Sequence, residues 1–146
     1  MKLYLHIGTE KTGTTTIQAF LDINRKALAT RRICVPRSLG NRNHRWLSAL
    51  CYRPEFQDGL TRRFGMDDPA TRKRLIGERR RDFDAEMAAL TAPVVAMSSE
   101  HLQSRLHTVG EIEALRDLLS RHFNDIRIIL YLEIPLQWPC RFFQPG

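Results

Sequence analysis

Cysteines are few and long apolar runs are lacking in this chain, and each scarcity excludes something. The three cysteines, Cys34, Cys51 and Cys140, form no Cys-x-x-Cys pair. Their odd number argues against a disulfide framework. None of His6, His44, His101, His107 and His122 stands at metal-ligand spacing from another histidine or from a cysteine, so no metal is expected. No stretch approaches the roughly 18 consecutive apolar residues of a membrane span. Lys2 to Ile7 is too short for a secretory h-region and runs straight into a Gly/Thr loop with no small-residue cleavage site. The reading is a cytoplasmic chain without a membrane span.

Acidic residues are the next deficit. Against 23 Lys and Arg there are 16 Asp and Glu, a formal charge of +7. This surface favours phosphate esters and other polyanions. Nineteen of the 23 cations are arginine, whose planar fork suits phosphate and sulfate. The run Arg79-Arg80-Arg81 fans around a helix and is followed by Asp82, Asp84 and Glu86. With Phe83 as the sole interleaved aromatic, it reads as a solvated face, and no specific nucleic-acid partner is expected. A length of 146 residues with 42% hydrophobic residues supports one folding unit.

Apolar periodicity alternates between strand and helix. Strands are predicted over 2–7, 33–35, 93–97 and 126–132, the last a near-continuous apolar run suited to burial on both faces of a parallel sheet. Helices are predicted over 14–30, 46–52, 69–90 and 110–123. Ile17, Phe20, Leu21 and Leu28 mark one face of the first, and Pro69 suits the opening turn of the third. Ile76, Phe83, Met87 and Leu90 form the stripe of the third, and Ile112, Leu115, Leu118 and Leu119 that of the fourth. Residues 54–68 read as irregular. The order implies an α/β domain with right-handed crossovers, whose ligands sit in loops at the carboxyl ends of the strands.

The first such loop is the most specific segment. Gly8 and Gly13 lie between a strand and a helix opened by Thr14-Thr15-Thr16. This pattern makes an anion cradle from backbone N–H groups and a helix N-terminus. Its glycine spacing fits the triphosphatase pattern G-x-x-x-x-G-K-[ST], but Thr14 follows Gly13 and the lysine sits inside the loop as Lys11. That displacement weakens a kinase or NTPase reading, while Glu100 and Glu133 keep Mg²⁺ chemistry open.

The segment His6 to Gln18, with Lys11-Thr12-Gly13-Thr14-Thr15 at its centre, resembles the 5′-phosphosulfate loop of the bacterial-type sulfotransferases, which use 3′-phosphoadenosine 5′-phosphosulfate (PAPS). The resemblance implies a P-loop NTPase-like, three-layer α/β/α fold with a parallel sheet of about four strands. It implies sulfuryl transfer to a hydroxyl or amine of a small-molecule, carbohydrate or lipid acceptor. Lys11 would act on the bridging oxygen and 5′-phosphate, and Gly8, Thr9, Thr12, Gly13, Thr14, Thr15 and Thr16 would hold the donor. Val94 to Glu100 resembles that family's strand ending in Ser-x-Glu, with Ser98 a donor contact. Ile128 to Leu132 resembles the strand leading to its 3′-phosphate site, yet Glu133 stands where the family has arginine, and Arg141 near its serine. The proline-rich tail 133–146 has no helical or strand period, whereas the family continues for about a hundred further residues.

On this reading the chain is a single, incomplete sulfotransferase-like domain, and exposed apolar surface would promote self-association. An inactive anion-binding fragment or interaction module is the alternative, and a P-loop kinase or NTPase the third. Two residues are candidate general bases. His44 follows the second strand with an imidazole suited to proton abstraction, and Glu100 follows the third. Ser99 and Glu100 also suit the cap of a helix beginning at His101.

Overall fold

The computed structural model describes residues 1–132. Glu133, Trp138, Cys140, Arg141 and the rest of the tail over 133–146 lie outside the described residues. Four strands, β1 (Lys2–His6), β2 (Ile33–Cys34), β3 (Val94–Ser98) and β4 (Asp125–Ile129), form one sheet in the order β2-β3-β1-β4. Every pairing is parallel, with Leu5 opposite both Met97 and Ile128. After β1 the chain moves two positions one way to β2, and after β3 two positions the other way to β4. The carboxyl ends of β1 and β3 therefore flank a topological switch point, where parallel sheets leave a crevice.

Seven helices in the described residues fill the connections: α1 (Thr14–Ile23), α2 (Arg25–Thr30), α3 (Trp46–Ala49), α4 (Gly59–Arg63), α5 (Pro69–Ala88), α6 (His101–Arg105) and α7 (Val109–Ser120). The expected continuous helix over 14–30 is broken at Asn24, whose side-chain amide donates to the Phe20 carbonyl at 2.9 Å. The guanidinium of Arg25 then reaches the carbonyls of Val35, Pro36 and Asn41, tying α2 to the loop beyond β2. Within the stretch read as irregular, α4 is held by a capping box of Asp58 and Thr61. Asp68 caps α5 by accepting from Thr71 N–H at 2.8 Å, and Pro69 supplies its first turn.

One core joins Leu3 and Leu5 of β1, Val95 and Met97 of β3, Phe83 and Met87 of α5, and Leu118 and Leu119 of α7. Two expectations of burial are corrected. β4 is an edge strand among the described residues, and Ile128 is 55% exposed because only β1 pairs with it. Phe20, Ile23, Tyr131 and Leu132 are also exposed. In α7, Ile112 is 50% exposed while its neighbour Glu111 is 2% exposed.

The reason is backbone satisfaction. The Glu111 carboxylate accepts from the N–H groups of His107, Thr108 and Arg53 at 2.8, 3.0 and 3.2 Å. Burial pushes its pKa up, but these three donors win and hold it below the usual carboxylate value. Its contribution is thus complete above about pH 4.5 and lost as acid protonates it. Replacing Glu111 by Ala would strand three donors and cost about 2 kcal/mol. Urea denaturation at pH 7 will show that loss as a lower midpoint with an unchanged slope, and Glu111→Gln should recover part of it.

Candidate functional site

The loop between β1 and α1 takes its shape from backbone constraints. Gly8 has φ +118°, and a Cβ there would sit 3.4 Å from Cα and Cβ of Glu100, so glycine lets the loop lie against the end of β3. Gly13 has φ +81° with open space around it, so the left-handed conformation alone favours glycine there. Lys11 also adopts positive φ, 65°, at about 1 kcal/mol of strain for a residue with a Cβ. The loop's start is pinned by Tyr131 N–H donating to Gly8 O at 2.8 Å and Thr9 N–H donating to Tyr131 O at 3.1 Å.

From Glu10 to Thr15 the backbone N–H groups donate to no acceptor among the described residues, whereas those of Thr16 and Ile17 already bond Gly13 O. Unspent donors in succession at the start of a helix attract an anion. They open onto a cleft of about 570 Å³ lined by Glu10, Lys11, Gly13, Thr14, Thr15, Glu100, His101 and Arg105.

The expected cradle is therefore partly redistributed. Thr14 and Thr15 face the cleft. The Thr12 hydroxyl instead donates to Thr9 O at 2.7 Å, and that of Thr9 to Tyr131 O at 3.3 Å, so both shape the loop. Thr16 lines a separate, mainly apolar cleft with His6, Ile17, Phe20, Ile129 and Tyr131.

Glu100 stands at the switch point with both carboxylate oxygens held. Oε1 accepts from the Asn43 amide at 3.0 Å and Oε2 from the Gln18 amide. Its side chain makes no capping bond to α6, which removes the capping role. Gln18 and Asn43 were invisible as site residues in the sequence, as were His101 and Arg105. Only their nearness in the chain to Thr14–Thr16, His44 and Glu100 hinted at them.

Ser98 and His44 need correction. Ser98 is fully buried, and its Oγ lies 2.7 Å from His6 Nδ1, so it closes the end of β3 and is not presented to a donor. His44, offered as a base, is 0% exposed with both ring nitrogens engaged. Its Nδ1 accepts from Ser98 N–H at 3.1 Å and its Nε2–H donates to Pro36 O at 3.0 Å. Nδ1 lies 3.1 Å from Ser98 O as well, and with burial favouring the neutral ring both nitrogens are spent on the backbone and neither faces the cleft. Burial lowers the pKa of His44 despite the carbonyl contacts, and lowers those of His6 and His101 despite the Glu100 charge. The fixed cations at the cleft are accordingly Lys11 and Arg105.

No group of three or more His, Cys, Asp or Glu side chains able to hold a metal occurs among the described residues, and no helix there is long and apolar enough to cross a membrane. In comparisons with known proteins, no family model, no curated protein and no solved structure matched the chain.

Proposed function

We propose that the chain binds PAPS and directs sulfuryl transfer to an acceptor hydroxyl or amine, with Lys11 and Glu100 as the acting residues. The observation that carries this reading is the run of unspent N–H groups from Glu10 to Thr15, with the Lys11 cation inside it and the Glu100 carboxylate on the same cleft. The loop amides and the α1 N-terminus would hold the 5′-phosphate. Lys11 would stabilise charge growing on the leaving phosphate oxygen, the electrostatic contribution on which such transfers depend. Glu100, fixed by Gln18 and Asn43, would take the acceptor's proton as the new bond to sulfur forms and the bond from sulfur to the phosphate oxygen breaks.

The grip of Gln18 and Asn43 on both Glu100 oxygens favours a second reading, in which the cleft binds a phosphate ester without turnover. Calorimetric titration with adenosine 3′,5′-bisphosphate (PAP), ATP and Mg²⁺-ATP tests these readings. PAP should bind best, and Lys11→Ala should weaken it at least tenfold, as expected from loss of a charge-assisted contact of about 1.4 kcal/mol or more. Equal binding of every polyanion would leave the silent module, and Mg²⁺-dependent ATP binding would overturn both.

A further inference from the structure

The cations of helix α5 fall into two sets. Arg74 pairs with Glu78 at 3.0 Å, Arg79 pairs with Asp82 at 3.2 Å, and the Arg79 guanidinium also lies 5.2 Å from the centre of the Trp46 ring. Lys73, Arg80 and Arg81 have no acidic partner within ion-pair distance among the described residues, where the buried Nε of Arg80, like that of Arg79, has no hydrogen-bond partner either. These three line a cleft of about 630 Å³ whose apolar lining comes from Tyr52, Ile76 and two prolines, with the buried Met66 at its floor. Asp67 is the one acidic residue lining it.

The cleft is built rather than incidental. Arg72, 8% exposed, reaches the carbonyls of Arg53, Pro54 and Phe56 and so fixes the opposite wall to the helix. Gly77 lines the cleft in the middle of α5, where glycine costs a helix about 1 kcal/mol relative to alanine. The nearest atom to a Cβ there would be Arg81 Nη1 at 3.5 Å, so packing does not demand glycine, and its small size keeps the cleft open.

We propose that this cleft is a binding site for a small amphipathic anion, an acyl or aryl body carrying a carboxylate, phosphate or sulfate. The apolar body would lie against Tyr52 and Ile76, and the charged group would be taken by Lys73, Arg80 and Arg81. The volume falls in the range of small-molecule sites, and cations without partners beside apolar surface match neither a neutral lipid nor a bare inorganic ion. This site is separate from the Lys11 cleft and does not depend on the transfer reaction.

Calorimetry on the full chain with decanoate, decyl phosphate, decanol, decyltrimethylammonium and inorganic phosphate, each below its micellar concentration, tests it. The two amphipathic anions should bind at least tenfold tighter than the other three. The double variant Lys73→Gln, Arg81→Gln should lose at least tenfold in affinity for them, and Gly77→Leu should lose it while unfolding at the same temperature or higher. Lys11→Ala should leave it unchanged. Equal affinity for decanol, unchanged affinity in Gly77→Leu, or loss in Lys11→Ala would overturn the proposal. So would binding to phosphatidylglycerol vesicles with none to decanoate.

Discussion

Replacing His44 by alanine should cost about 3–5 kcal/mol of stability, because it empties a fully enclosed ring volume and strands Ser98 N–H and Pro36 C=O. A loss of that size is a large part of the stability of an ordinary domain. It should appear as a fall in Tm of about 10 °C or more. His44→Asn, whose amide oxygen can still accept from Ser98 N–H, should recover part of the loss. The pH dependence has a definite sign. His44 is neutral in the native state with a lowered pKa, so its stabilisation is complete above the unfolded value of about 6.5 and is lost as pH falls from there toward the lowered native value. His6 and His101 shift the same way. Chemical denaturation from pH 7.5 to 5 should show the native protein weakening with acid, and His44→Ala doing so less steeply. A variant that kept its stability but lost turnover would restore His44 as a base.

His44 also shows where sequence reading stops. Flanked by Asn41, Arg42, Asn43 and Arg45, it looks like a surface residue or an exposed base. Its burial comes from packing against the end of β3, 54 residues away in the chain, through the backbone of Ser98. Features set by local chemistry were legible. Leu3 and Leu5 declare a strand, Gly8 and Gly13 a strained turn, and Asp68-Pro69 the start of α5. The parallel sheet followed from the alternation of elements. The break at Asn24 is a single residue across which backbone bonds to Phe20 O and from Leu28 N–H persist, so it leaves no mark on the apolar period, and α4 is five residues long with two arginines in its last turn, too short and too polar for such a period. The apolar run at 126–132 has the composition of a central strand, and composition carries no information about which neighbours a strand acquires. That Lys11 and Glu100 share a cleft could be anticipated because both follow strand ends that the crossovers bring together. Gln18 and Asn43 could not, since an amide in a helix or loop carries no sign of the carboxylate it will hold.

Glu100→Gln gives the largest expected change in activity. If Glu100 takes the acceptor's proton, removing its basicity should lower kcat about 10²- to 10⁴-fold, read as PAP released from PAPS with p-nitrophenol as acceptor. The substitution is nearly isosteric, and either the Gln18 or the Asn43 amide can turn its oxygen toward the new NH₂. The fold should therefore survive, with thermal unfolding close to that of the native chain. PAP affinity separates this role from a structural one. Glu100 lines the same cleft as Lys11, so removing its negative charge should leave PAP binding unchanged or strengthen it. Should Glu100 serve instead to set the positions of Gln18 and α1, the loop would shift and PAP affinity would fall together with kcat. Low kcat with retained PAP binding identifies the base, a joint loss identifies a positioning residue, and undiminished kcat removes Glu100 from the mechanism.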